Sequence, residues 1–236
     1  MASFIFRYLN LIRLIQDFRV SMGVKIRSRK LQKFRTMLKN KDFTMLTENC
    51  LAGIVYHDFG MQFRSPLING EFSTEDYIKF LQNPQYYMQQ ELVFVSNKDE
   101  NLPVFYRELD CPVACVGDLH FRFTHYHMSE DEIRAIWDKR RDRINWDNLF
   151  VVLCEKKGCT IEHMRQFEAL PYKHKLILAC HHYLGLEYVF HVKGFEEIGY
   201  IDNLLKDMPG FFPPAKKYYD QFDFLVWLNT GKIQRA

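Results

Sequence analysis

The chain has 236 residues, 47% of them hydrophobic and 26% charged, proportions that suit one globular domain with a sizeable core and exclude a disordered or collagen-like polymer. Its six cysteines do not make a disulfide scaffold at this length, no apolar run reaches the roughly 18 residues of a membrane span, and no secretion signal is found, so reduced thiols in a cytoplasm are expected. The net charge of +3 hides an asymmetry: residues 1–41 hold 11 Lys or Arg against the single acid Asp17, while the remainder holds 21 basic and 28 acidic side chains.

In chain order, residues 3–22 read as a helix, because Phe4, Tyr8, Leu11, Ile15, Phe18 and Met22 recur at spacings of three and four. Residues 23–41 are strongly basic. The expected organisation is therefore a basic helical arm, 1–41, followed by a domain, 42–236. The arm has two open readings. It lies on an anionic bilayer with its cations in the headgroups, or it docks on the domain as an ordinary helix. A third reading, nucleic acid, is set aside because the excess charge is confined to the arm.

The domain opens on a strand at 43–47, a turn containing Asn49, Cys50 and Gly53, and an apolar stretch at 54–57. Ser73 with Asp76 three residues later predicts a capped helix through Leu81, closed by Asn83-Pro84. Strands are expected at 91–96 and 113–116, then a Gly117-Asp118 turn. Along 119–126, Leu119, Phe121 and Phe123 alternate with His120, Arg122 and Thr124, the period of a half-buried strand. Ser129 and Glu132 spell a capping box. A buried strand follows at 149–153, then a helix from Thr160 to Ala169, strands at 175–179 and 188–192, a short helix at 201–206, a proline-rich loop at 208–215 and a closing element at 218–228. Helices alternating with buried strands predict the α/β class, as a single domain with a mixed sheet flanked by helices.

Three constellations carry candidate chemistry. Asp118 at a turn and His120 on the polar side of the next strand suit proton transfer, with Asp118 or Asp147 orienting the imidazole. Arg141, at the end of a basic helix, offers a planar fork for phosphate, and Asn148 follows Asp147 just before a buried strand. Asn49 follows the first strand, where α/β proteins place ligands, and His57 and Arg64 form a polar cluster in an aromatic segment. Asp118, His120 and Asp147 are thus the catalytic candidates, and Asn49, His57, Arg64, Arg141 and Asn148 the substrate-binding ones. The expectation is that Asp118, His120, Arg141 and Asp147 line one pocket.

Other motifs are missing. No nucleotide-binding glycine fingerprint, nucleophile elbow, zinc-protease motif, D-x-D pair or hexapeptide repeat occurs. The cysteine spacings give no paired zinc ligands, so no metal and no cofactor are expected. Cys159, after a glycine turn and ahead of a helix, is a candidate for a low-pKa thiol as well as for a core residue.

Several blocks together resemble the bacterial domain of unknown function 1919 family: ENCLAGIVYHDFG (48–60), SPLIN (65–69), VGDLHFRFTHY (116–126), RRDRINWDNLFVV (140–152), GCT (158–160) and LPYKHK (170–175). The resemblance runs from about Phe43 to Leu228 and leaves the arm outside. It implies a protein of exopolysaccharide or capsule biosynthesis, without implying a reaction or a catalytic residue. The chain departs from the family pattern at Glu48 and Ala52, where Asn and Gly are usual, and at Glu155, Lys156 and Lys157, where Asp-Arg-Asp is usual. The expected function is a transferase acting on a sugar phosphate, nucleotide sugar or lipid-linked sugar, in the cytoplasm or peripherally on the inner face of the cell membrane. The alternative is a non-catalytic carbohydrate-binding or assembly factor of the same pathway, for which the 21 Phe and 13 Tyr would supply stacking surfaces.

Overall fold

The basic run does not interrupt the first helix. The computed structural model describes residues 2–210 and 215–234, and in it α1 spans Ala2–Met37 without a break at Gly23. The side chains of Phe4, Tyr8, Leu11 and Ile15, and the loop residues 211–214, lie outside the described set. In chain order there follow β1 (Thr44–Thr47), α2 (Leu51–Asp58), α3 (Thr74–Gln82), α4 (Pro84–Met88), β2 (Leu92–Val95), α5 (Val104–Arg107), β3 (Val113–Val116), β4 (Leu119–Arg122), α6 (Glu130–Arg141), β5 (Leu149–Cys154), α7 (Ile161–Ala169), β6 (His174–Ala179), β7 (Val189–His191), a 3-10 turn (Tyr218–Gln221) and α8 (Phe224–Thr230).

The helix starts written in the sequence are the ones the chain uses. Ser73 accepts from the Asp76 N–H at 3.1 Å. Ser129 and Glu132 form the reciprocal capping box of α6, and Thr160 accepts from the His163 N–H to start α7. Each such cap is worth about 1 kcal/mol. Asn83 ends α3, and its side chain then caps α4, with Pro84 in the first helical turn.

The fold is α/β, with parallel and antiparallel strands divided between two sheets. One is parallel, in the order β1-β5-β6-β7; the other is antiparallel, β2-β3-β4. The connections explain the division. The tight Gly117-Asp118 turn, with Gly117 at φ +63°, can join only antiparallel neighbours, whereas α7 supplies the crossover between the parallel strands β5 and β6. The strands β1, β5 and β6 are buried on both faces, while the edge strand β7 is half-buried. On one face Met45, Phe150, Val152 and Leu178 pack with α2, α8 and Leu38. On the other Leu46, Val151, Leu153 and Ile177 meet Phe72, Phe80, Phe121, Trp137 and Phe167. The antiparallel sheet, α3, α6 and α7 thus lie on that second side.

Two local expectations are corrected. Gly53 is not in a turn: it lies inside α2, and a Cβ there would stand 3.0 Å from Ile68 Cγ2, so glycine lets the helix approach its neighbour. Residues 201–206 form no helix. Ile201 and Leu204 are buried, but Asn203 Oδ1 accepts the Leu205 N–H at 2.8 Å, an Asx turn that competes with helical bonding.

The second half of α1 docks on the domain. Arg27 donates to Asp58 at 2.7 Å and to Asp220 at 2.6 Å and also bonds the Tyr219 hydroxyl. Lys30 reaches Asp220 at 3.1 Å, and Phe34 stacks on Phe59 with ring centroids 5.8 Å apart. The docking reading therefore describes the stretch from Arg27 to Leu38, while Leu14, Phe18, Val20 and Val24 stay exposed.

Candidate functional site

The carboxyl ends of the parallel strands set the site. Immediately beyond β1 comes Glu48, beyond β5 come Glu155 and Lys156, and beyond β6 comes Cys180. Parallel strands expose these ends on one edge, the usual place for a ligand in α/β proteins.

Glu48 is fully buried. Its Oε1 accepts the Cys154 N–H at 2.7 Å, while its Oε2 is buried without a hydrogen-bond partner. Burial pushes its pKa up to about 7, against the pull of Lys156 and of backbone N–H groups. Lys156 donates to the Phe72 carbonyl at 2.5 Å and lies 4.7 Å from the centre of the Phe105 ring. Burial lowers its pKa, and Glu48 and Glu71 oppose that shift.

Arg122 closes the other wall. Its guanidinium carbon is 3.8 Å from the centre of the same Phe105 ring. Nε donates to Glu71 Oε2 at 2.9 Å, a second nitrogen bonds the same carboxylate, and a third donates to the Phe105 carbonyl at 2.5 Å. Glu71 and Arg122 also exchange backbone bonds of 2.8 and 3.0 Å, which carries the end of β4 over the parallel sheet. Two adjoining cavities result, of about 490 and 320 Å³, which share Glu71, Lys156, Ile201 and Asp202. Ser73, Phe105, Arg122, Gly158 and Tyr200 line the first, and Asn49, Cys50 and His125 the second. An ammonium with a lowered pKa, above a carboxyl that titrates near neutrality, can bind an anion and can also move a proton.

Of the residues expected from sequence, Asn49 reaches this cleft, where its Oδ1 also accepts the Leu51 N–H at 3.0 Å. The others have different surroundings. Asp118 pairs with Lys79 at 2.6 Å and with the Tyr87 hydroxyl at 3.0 Å, on an exposed turn. His120 faces Asp76, 3.9 Å from Nδ1, beside the Tyr106 ring. Arg141 pairs with Asp138 at 3.0 Å and lines a cavity with Gln85, Gln89 and Trp146 that contains none of Asp118, His120 or Asp147. Asp147 and Asn148 precede β5, at the amino edge of the parallel sheet. Asn148 ties Asn40 at 2.9 Å, and Arg64 pairs with Asp42 at 2.6 Å on that same edge. His57 stands in the last turn of α2, exposed, 3.4 Å from Asp58. The expected four-residue pocket is thus not assembled around any one cavity that Arg141 lines. Cys159 is not a low-pKa thiol: burial, then Glu48 and Glu155, push it up to about 12.

Sequence reasoning gave no site role to Glu71 and Asp202, named Glu48 and Lys156 only as departures from the family pattern, and placed Arg122 on the polar strand face with His120 and Asp118 rather than with Glu71. The signal for two of them was present: a charged side chain directly follows a buried apolar strand at Thr47-Glu48 and near Cys154-Glu155-Lys156. Glu71 and Arg122 carry no such mark, because a loop and a strand 51 residues apart in sequence meet only in the fold.

The family model for the domain of unknown function DUF1919 matches residues 22–229. The chain belongs to this family. The match begins 21 residues before Phe43, inside the segment expected to lie outside it, and takes in the docked half of α1. An uncharacterized protein of Haemophilus influenzae is 33% identical over 192 residues, covering 81% of this chain and 86% of that one. The DUF1919 domain therefore includes the Arg27 ion pairs as well as both walls of the cleft. Among the described residues no helix is long and apolar enough to cross a membrane.

Proposed function

We propose that this DUF1919 protein is a transferase of surface-polysaccharide biosynthesis that acts on a phosphorylated or lipid-linked sugar in the carboxyl-edge cleft. The observation that carries the reading is Lys156, a partly buried cation shared by both cavities and set beside the titratable Glu48. Lys156 and Arg122 would meet phosphate oxygens. Glu71 and Asp202 would accept sugar hydroxyls, and Phe105 and Tyr200 offer ring faces for the apolar side of a pyranose. Glu48 lines neither of these two cavities; it is a positioning residue whose charge favours the ammonium form of Lys156 against burial. Those same two rings favour the second reading, a carbohydrate-binding factor without turnover.

The working location in this reading is the inner face of the cell membrane. Leu14, Phe18, Val20 and Val24 are exposed on a helix rich in Lys and Arg, ahead of the docked stretch, and such a segment suits an anionic bilayer.

Calorimetric titration with a panel of nucleotide sugars and a short-chain polyprenyl phosphate tests the proposal. One ligand class is expected to bind, and Lys156→Met to weaken it about tenfold or more, the scale of a lost charge-assisted hydrogen bond. Equal binding by both proteins, or binding by neither, overturns it. Binding without sugar transfer to any acceptor supports the second reading.

A further inference from the structure

One strand further along the same edge lies a cluster of different chemistry. Cys154 pairs with Leu178 in the β5–β6 register, so Glu155 and Cys180 leave the sheet close together. Both are buried. The Cys180 N–H donates to Glu155 Oε2 at 2.7 Å, and the Tyr183 hydroxyl donates to Oε1. The carboxylate is therefore held from two sides, with lone pairs left on each oxygen. His181, which is exposed, turns its Nδ1 to 3.1 Å from Cys180 Sγ. One ligand atom from each of Glu155, Cys180 and His181 lies within 4.8 Å of the other two.

We propose that Glu155, Cys180 and His181 form a zinc site with three protein ligands and a fourth position open on the side of His181. Tetrahedral zinc takes sulfur at about 2.3 Å and nitrogen or oxygen at about 2.0–2.1 Å, so its ligands stand about 3.3–3.6 Å apart. The present separations, 3.1 Å between His181 Nδ1 and Cys180 Sγ and none above 4.8 Å, bracket that range. The donor set selects the metal: a thiolate and an imidazole favour zinc over magnesium or calcium, which prefer oxygen alone. Tyr183 and the Cys180 N–H supply the outer contacts that orient a ligating carboxylate. On binding, the thiol proton of Cys180 leaves to solvent as the zinc–sulfur bond forms, so two ligand anions balance the dication. The site borders the cleft, since the Ile201 N–H donates to the Glu155 carbonyl at 2.6 Å and Ile201 lines both cavities. It does not depend on the sugar reading. No sequence spacing announces it, because Glu155 is 25 residues from Cys180 and only the parallel register joins them.

Cobalt titration of the full chain, stripped with chelator, tests the site, because cobalt in such a site gives a thiolate charge-transfer band and four-coordinate visible bands. The spectrum is expected to saturate at one equivalent and to be erased by zinc. Cys180→Ser should remove the charge-transfer band. His181→Ala, an exposed position that leaves folding intact, should weaken binding at least about tenfold. A nearby surface pair competes for the assignment: His182 Nε2 and His191 Nδ1 are 3.0 Å apart, and Glu196 bonds His191 at 2.8 Å. The double variant His182→Ala/His191→Ala should keep the cobalt spectrum. No thiolate band, unchanged affinity in His181→Ala, or loss of binding in the double variant overturns the proposal.

Discussion

Replacing Glu48 by Gln should stabilise the protein above neutral pH and do little below pH 5. The carboxyl is fully buried, and its Oε2 has no partner among the described residues. Its folded pKa of about 7 lies above the ordinary 4.5. Between those two values the folded chain holds a proton that the unfolded chain has released. Stability therefore falls as pH rises through this window and stays reduced above it. At about 1.4 kcal/mol for each pH unit, the loss approaches about 3 kcal/mol. Gln keeps the acceptor for the Cys154 N–H, which is 2.7 Å away in the wild type, and cannot ionise. Urea unfolding at pH 5, 6, 7 and 8 should show the wild type losing stability with pH relative to Glu48→Gln, with the variant ahead by about 2–3 kcal/mol at pH 8. Parallel pH profiles, or a variant less stable at pH 8, would refute the assignment of Glu48 as a buried, near-neutral acid.

Arg27→Ala should cost about 3 kcal/mol in urea unfolding, because it leaves Asp58 and Asp220 without their shared cation; a change below about 0.5 kcal/mol would mean that the contact is a surface pairing. Full-length protein should float with anionic vesicles and a 22–236 form should not, since the latter keeps the docked half of α1 and lacks Leu14, Phe18 and Val20; equal flotation at low and moderate salt would remove the membrane reading. Asn148→Ala should lower stability by about 1 kcal/mol through its lost bonds to Asn40 and Asp42, with ligand affinity unchanged; a drop in affinity at equal stability would restore Asn148 to the substrate site.

Local signals carried most of the fold. Ser73, Ser129 with Glu132, and Thr160 each mark a helix start by an interaction three residues long, and the alternation of Leu119 and Phe121 with His120 gives the β4 faces directly. The failures have one origin. Ile201 and Leu204 have helical spacing, but they are buried beside the cleft while Leu205 is exposed, and the N–H groups of Ile201 and Leu205 go to Glu155 and Asn203. His120 and Arg122 share a strand face, yet one meets Asp76 in the first turn of α3 and the other Glu71 in the segment ahead of it. Asp147 stands just ahead of a buried strand, and the parallel sheet puts that end on the edge opposite the cleft. Strand direction in the sheet decides that point, and it is not written in local pattern.

The most direct test of the carboxyl-edge site is backbone-amide NMR mapping on the deuterated full chain during titration with the ligand class that calorimetry selects. The account predicts that the largest shifts fall on Asn49, Cys50, Gly158 and Asp202, which line the two cavities around Lys156. Shifts centred instead on Gln85, Gln89 and Arg141, or on Asp118 and His120, would contradict it.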